Sequence, residues 1–263
     1  MTRPPPILSG KNISAPSVFR ADALLREARR QKELPVVAVP SVCILDPDGD
    51  IVRRLRRDGR AQPFSSWPCY HTRLDTFDLG GRSVGIVGCA VGAPFAVLVA
   101  EELFASGCHF LLSLSSAGQI AKSGPTPYFV IIERALRDEG TSYHYAPPTD
   151  FADADAGLVA KAAFALRQSS QPFFVGATWT TDAPFRETAE AIEAARAKGI
   201  LAVEMEAAAL YAFARATGAA LLCLACVTNA MGQVGDDFEK GEADGAVDAL
   251  TILERLVSIA DTL

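Results

Sequence analysis

The chain has 263 residues, 49% of them hydrophobic and 21% charged, and 31 Asp and Glu against 25 Lys and Arg give a net charge of −6. This apolar content suffices for a substantial core in a domain of that length, and the acidic balance argues against nucleic acid as the main partner. No apolar run approaches the roughly 20 residues of a membrane span, and prolines stand in residues 1–10 where a signal peptide would be apolar, so a soluble, cytoplasmic protein with no membrane partner is expected.

Residues 1–34 read as an N-terminal extension, an irregular Pro-rich lead followed by a charged helix from about Phe19 to Lys32. Val36–Val39 predicts a short buried strand, and Asp46-Pro47-Asp48-Gly49-Asp50 a turn. A helix over Ile51–Arg57 ends at Gly59; its run Arg53-Arg54-Leu55-Arg56-Arg57 reads as a solvated face. Alternation over Thr72–Leu79, the pair Gly80-Gly81 and the run Ser83–Val87 predict a hairpin. The pattern then becomes βαβ: strand 83–88, the turn Gly88–Gly92, a helix Pro94–Ser106 closed by Gly107, and a strand Phe110–Leu114 ending at Ser115-Ser116-Ala117-Gly118. Strands over Tyr128–Arg134 and Phe173–Thr178 flank an Ala-rich helix over Ala156–Gln168. Helices over Thr188–Lys198 and Glu204–Thr217, a strand Leu221–Val227 and a helix Ala246–Ile259 complete the chain. Buried, non-alternating strands interleaved with helices describe one α/β domain, residues 1–263, around a mostly parallel or mixed sheet.

The six cysteines (Cys43, Cys69, Cys89, Cys108, Cys223, Cys226) are scattered, mostly in apolar segments, and read as reduced core residues. Cys223-Leu224-Ala225-Cys226 has no second pair, so neither zinc nor redox chemistry is expected of it. The acidic stretch Gly232–Gly245, with Asp236, Asp237 and Glu239 but no His, reads as a solvated loop and not as a metal site. No metal and no organic cofactor are expected.

In sheets of this kind ligands bind beyond the carboxyl ends of strands. Four such ends carry small or polar residues: Gly88–Gly92, Ser113–Gly118, Thr178–Asp182 and Thr228-Asn229. Gly88-x-x-x-Gly92 is not the dinucleotide fingerprint. The run Val203-Glu204-Met205-Glu206-Ala207-Ala208-Ala209-Leu210 is more telling, because it sets two carboxylates at the mouth of an apolar helix. Carboxylates there are costly unless they accept hydrogen bonds. A ribose, with a vicinal diol to donate and an apolar face to lie on Met205, would satisfy them. Alternatively Glu204 caps the helix N-terminus, where negative charge is favoured, and Glu206 faces solvent.

Several segments in one order resemble the nucleoside phosphorylase superfamily, which contains uridine phosphorylase, hexameric purine nucleoside phosphorylase and adenosylhomocysteine-type nucleosidases. They are Gly88-Cys89-Ala90-Val91-Gly92-Ala93-Pro94 with Glu101-Glu102-Leu103, Ser115–Gly118, Arg137-Asp138-Glu139-Gly140-Thr141-Ser142-Tyr143-His144-Tyr145, Thr180-Thr181-Asp182-Ala183-Pro184-Phe185-Arg186-Glu187, and Val203–Ala208. The resemblance covers residues 70–263. It implies a three-layer α/β/α fold with a central mixed sheet, a homo-oligomer (dimer, trimer or hexamer), and a nucleoside substrate with phosphate as co-substrate. By the same resemblance Met205 and Glu206 hold the ribose, Ser116 lies near the phosphate, and Ala117, Gly118 and Asn229 meet the base. Glu204 joins them as a ribose candidate, Arg73 as a phosphate candidate, Phe185 as a candidate to stack on the base, and Arg186 as a candidate either to recognise the base or to supply charge for phosphate. Arg73 lies on a strand that in the family reaches a neighbouring subunit's site.

Glu206 and Asn229 are the expected catalytic residues. Glu206 would orient the sugar and favour an oxocarbenium-like transition state. Asn229 stands where purine-specific members carry an acid; an amide cannot act as a general acid, which points to a pyrimidine or atypical nucleoside. His144, His71, His109 and Asp182 read as structural or surface residues. The family's Gly-Asp-Pro-x-Arg phosphate stretch is not recognisable, with only the acidic Asp46–Asp50 nearby. Its phosphate arginine falls at Ser113, and the Gln-x-Arg pair that reads uracil is missing after Asp182. Phosphate is best held by guanidinium and backbone donors. Their absence pulls towards water, but on the weight of the resemblance phosphorolysis of an N-glycosidic bond is the expected activity, with hydrolysis by water or bare nucleoside binding as alternatives.

Overall fold

Aliphatic runs too short for helices and buried on both faces supply the strands of the sheet's centre. In the computed structural model, which describes residues 4–230 and 245–263, Val42–Asp46 is buried at every position and forms β1. The chain reaches it through α1 (Ala21–Lys32) and leaves it into α2 (Asp50–Arg57). Next come β2 (Gln62–Pro63), β3 (Asp75–Leu79), β4 (Arg82–Gly88), α3 (Ala93–Ala105), β5 (Phe110–Gln119) and β6 (Tyr128–Asp138). Then follow β7 (Phe151–Asp153), α4 (Ala156–Leu166), β8 (Phe173–Thr181), α5 (Ala189–Ala197), β9 (Ile200–Glu204), α6 (Ala207–Thr217), β10 (Ala220–Ala230) and α7 (Ala246–Val257).

The strands form one mixed sheet in the order β10-β6-β8-β9-β5-β1-β4-β3-β2, with β7 on β6. A further parallel pairing of β10 with β5 closes β5, β10, β6, β8 and β9 into a ring. The long β5 makes this possible. Its first half pairs with β1 (Val42 opposite Phe110), and its last residues pass to β9 (Gly118 opposite Val203).

Alternation sends side chains to two cores. Cys43, Leu45, Leu111, Cys223 and Ala225 face α3 and α6, whereas Val42, Ile44, Leu112, Leu222 and Leu224 face α2, α4 and α7. Helices on both sides of a mixed sheet make the expected three-layer α/β/α arrangement. Local signals set the helix ends. The Asp155 side chain accepts from Leu158 N (2.9 Å) at the start of α4, and the left-handed Gly218 (φ 74°) closes α6. Tyr211 of α6 is fully buried; its hydroxyl donates to Ile132 O (2.6 Å) and accepts from Cys223 N (3.0 Å), tying the helix to β6 and β10.

Several expectations are corrected. Val36–Val39 is not a strand: Pro35 and Pro40 bracket it, Val36 and Val37 are exposed, and Val39 alone is buried. Proline cannot donate to a ladder, and the strand forms just beyond, at β1. The helix expected from Glu204 begins at Ala207, because Ile200–Glu204 is a strand. Strands β2, β7 and β9 had no counterpart in the sequence reading, and β5, β6, β8 and β10 run several residues further than expected. Cys89 is exposed at a positive φ of 64°, while the other five cysteines are buried. Asp236, Asp237 and Glu239 lie outside the described residues. Among the described residues no His, Cys, Asp or Glu cluster could hold a metal, and no helix is long and apolar enough to cross a membrane.

Candidate active site

The end of β9 and the start of α6 are joined by only Met205 and Glu206, so two carboxylates enter the protein on a tight strand-to-helix turn. Glu204 is buried, and its side chain is consumed by that turn. One oxygen accepts from Thr178 Oγ1 (3.0 Å) and Thr180 Oγ1 (2.5 Å), the other from Glu206 N and Ala207 N (both 2.7 Å). A carboxylate has about four acceptor positions, and here all four are taken. Glu204 is thus the brace at the helix N-terminus and leaves nothing for a ribose hydroxyl, a correction to the sugar-binding role expected of it.

Glu206 is also buried and does not face solvent. Its Oε1 accepts from Gly92 N (2.7 Å), across 114 residues of sequence, and its Oε2 faces Met205 N (3.3 Å). Gly92 holds φ 89°, open to glycine and strained for other residues. Burial pushes the Glu206 carboxyl up to about 8, helped by the charges of Glu204 and Asp48 and opposed by the Gly92 N–H. Glu204 is raised as well, by burial.

A third acidic arm comes from the loop after β1. Asp48 Oδ2 accepts from Ser116 N (2.6 Å) and its Oδ1 from Ser116 Oγ (3.0 Å). Beneath it, the buried Asp46 accepts from Gly49 N (3.2 Å) and Val52 N (2.9 Å). Burial raises Asp46 to about 7.

These elements enclose a cleft of about 350 Å³ at the carboxyl ends of the strands. Ser116, Ala117 and Gly118 of β5 form one wall, Met205 and Glu206 the floor, and Asn229 of β10 the far side, where Thr228 Oγ1 donates to Asn229 Oδ1 (3.2 Å). Phe185 overhangs the mouth almost fully exposed, at 99%. Beside it Glu187 is raised to about 7 by burial. Among the described lining residues Asp48, Glu187, Glu204 and Glu206 are acidic and none is Lys or Arg.

The structure therefore gathers Ser116, Ala117, Gly118, Phe185, Met205, Glu206 and Asn229 around one space. It does not bring Arg73 there: within the chain Arg73 lines a separate groove with Lys32, Arg56 and His71. Arg186 is exposed and is not part of the cleft wall. His144 Nδ1 lies 3.1 Å from Lys11 Nζ, and Asp182 accepts from Gly140 N (2.9 Å), so both engage neighbouring loops. Asp48 and Glu187 were missed. Asp48 reads as a turn residue until the strand before it is placed at Val42–Asp46; Glu187 carries no sequence signal.

A sequence model described as Phosphorylase superfamily matches residues 22–258, beginning well before the stretch in which the resemblance was visible. A purine nucleoside phosphorylase of DeoD type from Bacillus cytotoxicus is 29% identical over 182 residues, 68% of this chain and 74% of that protein. A guanosine phosphorylase from Halorubrum lacusprofundi is 28% identical over 138 residues, 52% of this chain and 57% of that one. Among solved structures, uridine phosphorylase from Vibrio fischeri ES114 in complex with 6-hydroxy-1-naphthoic acid superimposes with a TM-score of 0.74 at 20% identity, over 88% of this chain and 99% of that one. The fold is shared.

Proposed function

Because the chain belongs to the phosphorylase superfamily, we propose that its cleft cleaves the N-glycosidic bond of a nucleoside. One observation carries this reading: Glu206 lies buried at the cleft floor, anchored through one oxygen by Gly92 N while Met205 lines the same floor. A ribose lying on Met205 would donate its hydroxyls to the Glu206 carboxyl. Burial by itself favours the protonated acid; hydroxyls donating to it favour the ionised form. Negative charge then sits beside the sugar as C1′ becomes cationic in the transition state.

The base would stack on Phe185, beside Ala117, Gly118 and the Asn229 amide. Asn229 offers hydrogen bonds to the base without a proton to give, which favours pyrimidine or atypical bases whose leaving does not depend on an acid there. The chemistry needs no metal or organic cofactor. The same reading places the enzyme in the cytoplasm as a homo-oligomer, where Arg73 of one copy would have to serve a neighbour's cleft to act at all.

Two acceptors are in play. The phosphorylase relatives favour phosphate, and the four carboxyls of the cleft wall favour water. Incubating the purified protein with a panel of nucleosides, with and without inorganic phosphate, and reading free base by chromatography tests the proposal. Release that disappears in Glu206→Gln supports turnover. Nucleoside affinity with no base released after long incubation would reduce the protein to a binder.

A further inference from the structure

Ser116 presents two donors, its N–H and its hydroxyl, where β5 opens into the cleft. Both are already engaged by one carboxylate, Asp48, whose two oxygens take one donor each at 2.6 Å and 3.0 Å. A carboxylate gripped in this two-pronged way sits as an oxyanion ligand would. We propose that Asp48 selects the acceptor: it occupies the donors that would hold phosphate and so directs the sugar to water. The inference rests on reading the cleft as a nucleoside-cleaving site.

The Asp48 loop is held tightly. Asp46 O accepts from Gly49 N (2.9 Å) and Cys89 N (3.0 Å), and the Asp46 carboxyl bonds Gly49 N and Val52 N. Gly49 sits at φ 75°, where a Cβ would come within 2.5 Å of Cys89 Sγ. A loop packed this closely does not swing Asp48 aside at little cost. A phosphate dianion arriving at Ser116 would have to displace that carboxylate or lie against it, with no cation among the described lining residues. Like charges a few ångströms apart in a partly desolvated cleft repel strongly. Water carries no charge and can donate to the same oxygens.

In the proposed step the water oxygen bonds C1′ and the C1′–N bond breaks, its electron pair leaving with the base. One water hydrogen remains on the new anomeric hydroxyl, and the other ends as a proton on the base. The products are free pentose and free base, with no redox partner.

The test titrates inorganic phosphate calorimetrically into the full chain and into Asp48→Asn and Asp48→Ala, and follows 31P spectra during nucleoside turnover. The wild-type protein should bind phosphate no better than weakly and release pentose at a rate indifferent to it. Asp48→Ala should bind phosphate on the order of a hundredfold more tightly, and Asp48→Asn, whose amide oxygen still accepts from one Ser116 donor, less so. A Ser116→Ala change added to Asp48→Ala, which removes the hydroxyl and keeps the N–H, should give back part of that gain. Asp48→Asn keeps the side-chain shape, so thermal melting of the two variants separates a folding defect from a binding effect. Tight phosphate binding or pentose 1-phosphate formation by the wild-type protein overturns the inference, as does a folded Asp48→Ala protein with no gained affinity. The titration needs no nucleoside, so its outcome stands apart from whether any nucleoside is cleaved.

Discussion

Replacing Glu206 by Gln separates the two roles that position holds. The Gln carbonyl can keep the bond from Gly92 N (2.7 Å in the native protein), so the loop before α3 stays in place. The other terminal atom changes from an acceptor facing Met205 N (3.3 Å) to an amide donor. A ribose diol then meets a donor where it needs a charged acceptor. Two hydrogen bonds to a charged group contribute about 1.5–3 kcal/mol each, so their loss amounts to about 3–6 kcal/mol, or roughly a 10²- to 10⁴-fold fall in kcat/KM. Base release followed by chromatography gives the rate, and circular dichroism confirms the fold. Retention of activity to within about threefold would refute the placement of the sugar on Glu206.

Removing the same carboxyl should also change how stability varies with pH. Glu206 and Asp46, raised to about 8 and about 7 by burial, stay protonated in the native protein after the unfolded chain has ionised. Their contribution is complete at pH 4 and is lost as pH rises through the folded values. Denaturant unfolding should therefore show stability falling between about pH 4 and pH 8, and Glu206→Gln should flatten the fall; a wild-type curve that climbs over that window contradicts the burial argument. Phe185→Ala should leave unfolding unchanged to within about 0.5 kcal/mol, since the ring is exposed, yet raise KM about tenfold through lost base stacking; an unchanged KM removes Phe185 from the base site. Tyr211→Phe should cost about 1–3 kcal/mol in the same unfolding assay, because Cys223 N and Ile132 O lose their shared partner inside the core.

The cleft was legible in sequence where residue type and element boundary coincide. Ser116–Gly118 and Val203–Ala208 pair small or acidic residues with the end of an apolar run, and such pairs mark strand ends. Glu204 shows the limit: spacing cannot tell a cap from a sugar ligand, because the deciding partners, Thr178 and Thr180, come from a strand 24 to 26 residues earlier. Asp48 was hidden by a one-strand displacement. Val36–Val39 is the more β-branched run, but its flanking prolines deny it a ladder, and shifting the strand to Val42–Asp46 turns an apparent surface turn into a cleft wall. Arg73 is a candidate for a neighbouring subunit's site by resemblance alone; within its own chain it lines another groove, and one chain's sequence carries no signal for which copy it would serve.

Main-chain amides hold three acids of this cleft and one beneath it: Ser116 for Asp48, Glu206 and Ala207 for Glu204, Gly92 for Glu206, and Gly49 and Val52 for the underlying Asp46. Peptide N–H groups survive nearly every substitution, proline apart. Changes to the acids alter charge and shape while the receptors that cradle them persist. Each neutralised acid would uncover a ready anion cradle, so one scaffold could drift between oxyanion-tolerant and oxyanion-averse chemistries by single exchanges.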